Sequence, residues 1–287
     1  MSTTEIQPPT TDATDYVENG YLVVPGLLDS GECAEIIEDA AKFVRGEYPL
    51  ERAPADLAEQ ATDDEALRQI LAIHFPHLVS PVALAALKHP GICDVLGQIV
   101  GAHLPHWDGG VKAMQSMLFV KPPGFAGQAW HQDERFIPTR DRSLLGAWIA
   151  LDDATEENGC LRVIPGSHRP GIIHQFKAHG RPDEFDPTDE AYGFDDSDEV
   201  VVEVAAGSVI FFNGYLLHRS LKNRSDGYRR ALVNHYCSAS TLLPWLATDG
   251  PTATADYRAI VPVVGVDPYE WKGIDPPFTG PFVRSHT

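Results

Sequence analysis

Positive charge is scarce in this 287-residue chain: 22 basic residues stand against 41 acidic ones, a formal net charge of −19. That balance repels phosphate backbones and anionic lipid, which argues against nucleic acid or a membrane surface as partner. Cysteine is scarce too. Cys33, Cys93, Cys160 and Cys237 lie far apart, with no Cys-x-x-Cys pair. This speaks against a disulfide framework or a thiolate zinc site and predicts reduced thiols in a cytoplasmic protein. No apolar run approaches the ~18 residues that a membrane-spanning helix requires. The first residues, Met1-Ser-Thr-Thr-Glu-Ile-Gln-Pro-Pro, show neither the basic nor the apolar stretch of a secretory leader, and Arg284-Ser-His-Thr287 carries no lipidation or peroxisomal address. No repeat recurs along the chain, and no mark of oligomeric state is visible.

What the chain has is an ordinary globular composition, 43% hydrophobic and 22% charged. Residues 1–14, rich in Thr and Pro and with Asp12, read as a disordered tail, and residues 15–287 as one domain. Gly20-Tyr-Leu-Val-Val24 predicts a short strand. Ser30 is placed to cap a helix whose Cys33, Ile36, Ile37, Ala40, Ala41 and Val44 share a face. Thr62 and Glu65 form a capping box ahead of Leu67, Ile70 and Leu71. Pro90 opens a third helix that Gly101 stops.

After Gly110 the period changes. Segments 111–120, 144–151, 159–164, 200–204, 208–212 and 229–237 are short, β-branched or aromatic, and separated by Pro, Gly, Asn and Asp, which predicts strands. Helices precede strands without βαβ alternation, so a doubly wound parallel sheet is not expected. The expected fold is mainly β, a jelly roll with flanking N-terminal α-helices. Between Phe176 and Glu199 lies a segment with nine acidic residues and little periodicity. It reads as a solvated loop, or alternatively as a lid over a site.

One constellation carries chemistry. His131 and Asp133 are two residues apart, so on a strand they share a face. Downstream, His218 and Ser220 are again two apart, and Asn223-Arg-Ser-Asp-Gly227 predicts a turn before Arg229. A hairpin closed by that turn would set Arg229 beside residues 218–221. Two His and one carboxylate on a β scaffold match the facial triad of non-haem Fe(II) oxygenases, in which three protein ligands leave three open positions. A chelating cosubstrate takes two of these and dioxygen the third. The planar, permanently charged fork of an Arg suits a dicarboxylate.

His131-Gln-Asp133, Glu157-Asn-Gly159, Ile164-Pro-Gly-Ser-His168 and His218 with Arg229 eleven residues on resemble the phytanoyl-CoA dioxygenase family. Tyr16-Val-Glu-Asn-Gly-Tyr21 and Asp267-Pro-Tyr-Glu-Trp-Lys-Gly273 extend the likeness over nearly the whole chain. The resemblance implies a double-stranded β-helix, Fe(II) on His131, Asp133 and His218, and 2-oxoglutarate as cosubstrate. It implies that Arg229 holds the distal carboxylate of 2-oxoglutarate, assisted by Ser220, with Gln128 as a further contact. Some relatives have a hydroxyl where this chain has Leu161. The implied reaction uses O2 to hydroxylate a C–H bond of a small-molecule metabolite and releases succinate and carbon dioxide. Relatives of this fold that transfer halide lack the carboxylate ligand, so Asp133 argues against halogenation.

Other residues read as structural. His106-Trp-Asp108 lies in a turn, His168 in a loop, and His235 in the core or behind the ligands. Trp130, Phe136, Trp148, Phe211 and Phe212 read as core. Arg135, Arg140 and Arg162 read as surface, and Glu134 as pointing away from the metal. The competing expectation is a jelly-roll binding module without turnover, or the same fold with another metal.

Overall fold

The computed structural model describes residues 13–54, 57, 62–241, 243, 258–274 and 278–286. Most of the expected N-terminal tail lies outside the described residues, but Ala13 and Thr14 already belong to a helix. Five α-helices are present among the described residues: α1 (Ala13–Asn19), α2 (Ser30–Val44), α3 (Asp63–Leu67), α4 (Pro81–Leu87) and α5 (Pro90–Ile99). The strands are β1 (Tyr21–Val24), β2 (Ile70–His74), β3 (Val111–Lys121), β4 (Gln128–His131), β5 (Leu145–Ala150), β6 (Leu161–Val163) and β7 (Gln175–Lys177). They continue with β8 (Glu190–Tyr192), β9 (Val200–Val202), β10 (Val209–Asn213), β11 (His218–Ser220), β12 (Arg229–Ser238), β13 (Val261–Val264) and β14 (Phe282–Ser285).

The strands form a jelly roll. The large sheet runs β1-β10-β5-β12-β3-β2-β14, with β13 also on β3, and the small sheet runs β4-β11-β6-β9. Residues of the large sheet alternate between two cores. Leu145, Ala147, Ile149, Val209, Phe211 and Leu232 pack with Ile36, Phe43 and Leu96 of the helices. Their neighbours Trp148, Ala150, Ile210, Phe212, Ala231 and Val233 pack with Leu161, Val163 and Val202 of the small sheet. Burial on both faces explains why these strands read as continuous apolar runs.

Several expectations are corrected. Asp29, not Ser30, caps α2: its carboxylate accepts from Glu32 N at 2.9 Å, and Glu32 answers from Asp29 N at 2.8 Å. Two carboxylates at the helix start serve the free amides and the dipole together. The capping box of Thr62 and Glu65 is present, but α3 ends at Leu67. Ile70 and Leu71 instead open β2, paired with β3 and β14. The acidic segment is not simply a solvated loop. It carries the β7–β8 hairpin, in which Phe176, Ala191 and Phe194 pack on Trp130, Ile164 and Leu217.

The largest correction concerns the hairpin expected at Asn223–Gly227. β11 and β12 do not pair: β11 lies between β4 and β6, whereas β12 lies between β3 and β5. The turn carries the chain from one sheet to the other. Asn223 Nδ2 donates to the carbonyls of Lys121 (3.0 Å) and Gly227 (2.8 Å), which ties the turn to the end of β3. Arg229 is thereby placed opposite Lys121 in the large sheet. It faces Ser220 of the small sheet across the interior, since both residues line one cavity.

Candidate active site

His131 ends β4 and His218 begins β11, and the two are direct partners in the ladder, ring centroids 4.0 Å apart. Each ring is oriented by its own strand. His131 Nδ1 lies 2.8 Å from the Ala129 carbonyl and His218 Nδ1 2.9 Å from the Leu216 carbonyl. Because a carbonyl only accepts, each Nδ1 carries the proton and each Nε2 presents a lone pair. Both Nε2 atoms lie 3.7 Å from Asp133 Oδ1.

Asp133 is not on the strand, as the two-residue spacing had implied. β4 stops at His131, and Asp133–Arg135 form a 3-10 turn. The Gln132 amide fixes the corner. Its Nε2 donates to the carbonyls of Ile172 (3.0 Å) and Tyr215 (2.7 Å), and its Oε1 accepts from His174 N at 2.9 Å. Glu134 N donates to the Gly214 carbonyl at 2.9 Å. The Glu134 side chain turns away to Thr139, as expected. Asp133 Oδ2 is taken by His235 Nε2 at 2.8 Å, so His235 stands behind the carboxylate.

One donor atom from each of His131, Asp133 and His218 lies within 4.8 Å of the others. Burial and the neighbouring His218 ring push His131 down to about 4, which keeps it neutral and able to ligate. Burial would raise the Asp133 carboxyl, but His218 and His235 outweigh it and hold the group below the ordinary carboxylate range. Two imidazole nitrogens and one carboxylate oxygen, all aimed at one point, fit a ferrous ion.

The triad opens into a cavity of about 310 Å³. Of the aromatics read from sequence as core, Trp130, Trp148, Phe211 and Phe212 are core, and Trp148 and Phe212 also line the cavity; Phe136 lines it too but is half exposed. Arg229 is buried at one end, its guanidinium 5.6 Å from the Trp148 ring, and its Nε has no hydrogen-bond partner. Burial pushes this guanidinium down to about 10. Lys121 is buried beside it. Its Nζ donates to the Leu221 carbonyl (2.7 Å), Ser220 Oγ (2.9 Å) and the Gly159 carbonyl (3.4 Å). Burial first, and then Arg229, lower this lysine well below the usual range. Among the described residues neither cation has an ion-pair partner.

Ser220 Oγ also accepts from Gln128 N at 3.3 Å. With two N–H groups on its lone pairs, the hydroxyl is left to donate its proton into the cavity. Two buried cations and a free hydroxyl donor fit the distal carboxylate of a dicarboxylate. Gln128 lines the same cavity, and Leu161 supplies apolar wall. Gly159 allows the close approach that builds this end. It has φ 79°, and a β-carbon there would lie 2.3 Å from the Leu221 carbonyl oxygen.

Sequence reasoning missed Lys121 and Arg258. Lys121 closes an alternation, Gln115, Met117, Phe119, Lys121, in which every second residue of β3 faces the cavity. That period was legible. Arg258 follows no periodic segment and left no signal. Arg162 is held by Glu156 and Glu199, and Arg135 lies over the Phe176 ring. His168 Nε2 bonds the Val17 carbonyl at 3.1 Å, a structural role as expected.

A jelly roll that aims two imidazoles and one carboxylate into a cavity defines the non-haem oxygenase class. Comparison with known proteins narrows this. The profile of the family described as Phytanoyl-CoA dioxygenase (PhyH) matches residues 16–231. A probable phytanoyl-CoA dioxygenase of Caenorhabditis elegans is 30% identical over 277 residues, 88% of this chain and 85% of the relative. The phytanoyl-CoA dioxygenase of Arabidopsis thaliana is 42% identical over 123 residues, 42% of this chain. That match spans 43% of the Arabidopsis protein, and the match to its rice counterpart also spans 43%. The crystal structure of the epimerase SnoN in complex with Fe3+, alpha ketoglutarate and nogalamycin RO aligns with TM-score 0.61 at 22% identity, covering 89% of this chain and 95% of that one. The chain belongs to the phytanoyl-CoA dioxygenase family.

Proposed function

We propose that residues 15–287 act as one Fe(II)- and 2-oxoglutarate-dependent dioxygenase domain that hydroxylates a C–H bond of a small-molecule metabolite. His131, Asp133 and His218 hold the metal, and Arg229, Ser220 and Gln128 hold the cosubstrate. The carrying observation is that three convergent donor atoms and two unneutralised buried cations share one cavity. When bound, the ferrous ion and 2-oxoglutarate supply the activation of O2 and the oxidation of an unactivated C–H bond, with succinate and carbon dioxide as by-products.

The chain's own residues do the rest. The Ala129 and Leu216 carbonyls keep both imidazoles in the ligating tautomer. His235 fixes one carboxylate oxygen of Asp133 so that the other faces the metal position. The guanidinium of Arg229 forks onto the far carboxylate of the cosubstrate, and the Ser220 hydroxyl donates its proton to the same group. Lys121 holds Ser220 from behind. Trp148, Phe212 and Met117, with the half-exposed Phe136, give the reacting region an apolar wall. Asp186 and Thr188, from the acidic segment, complete the wall.

We place the protein in the cytoplasm, since none of its four cysteines forms a disulfide. Among the described residues no helix is long and apolar enough to cross a membrane. A binding module without turnover would have no use for a cationic end behind an open donor set. The test is spectroscopic and chemical. Anaerobic Fe(II) with 2-oxoglutarate should give a weak visible charge-transfer band, and admission of O2 should release succinate. A folded, iron-loaded sample with no band would overturn the reading, and replacement of iron by another resident metal would redirect it.

A further inference from the structure

A third cation, Arg258, half-buried, lines the same cavity away from Arg229. Arg258 donates from Nη1 to Gln115 Oε1 and from Nη2 to the Phe136 carbonyl, both at 3.1 Å. These two acceptors hold the guanidinium in place without neutralising it, and among the described residues it has no carboxylate partner. Three of its five N–H groups remain for another acceptor. Its position follows from the strands. Gln115 is the ladder partner of His235, which holds Asp133, whereas Lys121 is the partner of Arg229. Gln115 and Lys121 lie six residues apart on one face of β3, about 20 Å of strand. The metal position therefore has a cation on each side: Arg229 toward one end and Arg258 toward the other.

Arg219, Arg284 and Asp186 also line the cavity, but their charges are used. Arg219 forms a two-bond pair with Glu199, and Arg284 lies 3.5 Å from Asp186. Arg258 stands apart in facing apolar surface, with Phe136 and Ile137 in the adjoining wall.

We propose that Arg258 is the substrate's anchor, and that the substrate is a small, largely apolar molecule bearing one carboxylate. The inference rests on the reading of the opposite end as the cosubstrate site, because only then is Arg258 left for a second anion. The planar fork matches a carboxylate, and Gln115 with the Phe136 carbonyl sets its plane. An anion held there places its apolar body over the triad.

The experiment uses the full chain with Fe(II) and 2-oxoglutarate under anaerobic conditions. The probes are straight-chain acids from butanoate to octanoate and their primary amides, read by calorimetry and by the shift each causes in the visible band. At least one acid should bind about tenfold or more tightly than its amide, without displacing 2-oxoglutarate. Arg258→Gln should erase that preference, and Arg258→Lys should restore part of it. The band in each variant reports whether the iron end has assembled, and a variant without it is replaced by Arg258→Met. No acid bound more tightly than its amide, a preference that survives Arg258→Gln, or acids that compete with 2-oxoglutarate would each overturn the assignment. The reading beneath it fails differently, through absence of the band in the wild type before any probe is added.

Discussion

The two ends of the cavity are built on opposite principles. At the triad almost every polar atom already has a protein partner: both Nδ1 atoms bond carbonyls, Asp133 Oδ2 bonds His235, and the corner residue Gln132 makes three bonds. The atoms aimed at the metal position are left over, together with His235 Nδ1, which is buried without a hydrogen-bond partner. At the other end Arg229 and Lys121 are buried side by side with no carboxylate between them, and Arg229 Nε has no partner. One end is rigid before anything binds. The other carries a cost of burial that only an anion relieves. The difference teaches that geometry is stored at the metal end and affinity at the cosubstrate end.

That contrast can be broken experimentally, and the largest effect should come from the triad. Asp133→Ala removes the one anionic donor, so succinate production should vanish and Fe(II) binding should collapse, as read by turnover and by metal titration. Full turnover in this variant would reassign the ligand set. Arg229→Met tests the other end. The 2-oxoglutarate requirement should rise on the order of a hundredfold while bound iron is unchanged. The ligand-free variant should unfold at a midpoint equal to or higher than wild type, because an uncompensated buried charge is gone. A large loss of stability there would contradict the contrast itself.

A smaller effect is expected at His235. His235→Leu leaves Asp133 in place but unsupported, so iron affinity should fall roughly 10- to 100-fold with the 2-oxoglutarate dependence little changed. The smallest effect concerns buried histidines that are not ligands, of which His74 lines the cavity. Burial pushes His74, His77 and His286 down to about 4 from an ordinary 6.5. The unfolded chain therefore binds protons before the folded one does, and stability is lost as pH falls from about 6.5 toward 4. Glu134, raised to about 7 by burial, works in the opposite sense above its ordinary 4.5, but it is one group against these three and His131. Urea midpoints at pH 7.5, 6 and 5 should decline, and His77→Gln should flatten the decline.

Much of this was legible in the residues, for identifiable reasons. The segments that became β3, β5, β10 and β12 announced themselves because they are buried on both faces. His131, Asp133 and His218 stand out because the carboxylate is near its first imidazole in sequence and the second imidazole opens β11, shortly after the apolar strand β10. The pairing of β11 was not legible. A turn signal such as Asn223–Gly227 specifies that the chain reverses, not which sheet receives it, and here the tie from Asn223 to Lys121 decides. Lys121 escaped notice because lysine is ordinarily a surface residue. Arg258 escaped because a side chain that acts from irregular backbone leaves no period to detect.

The long strand β3 has a consequence for chemical outcome. It is hydrogen-bonded on one edge to β12 and on the other to β2 and β13, so its pitch does not adapt to an occupant. A guest tethered by its acid group is metered from that tether, residue by residue of β3. Homologous guests of increasing chain length should then be oxidised at a constant number of carbons from the acid, not from the methyl terminus, and an inserted residue between Gln115 and Lys121 should scramble that count.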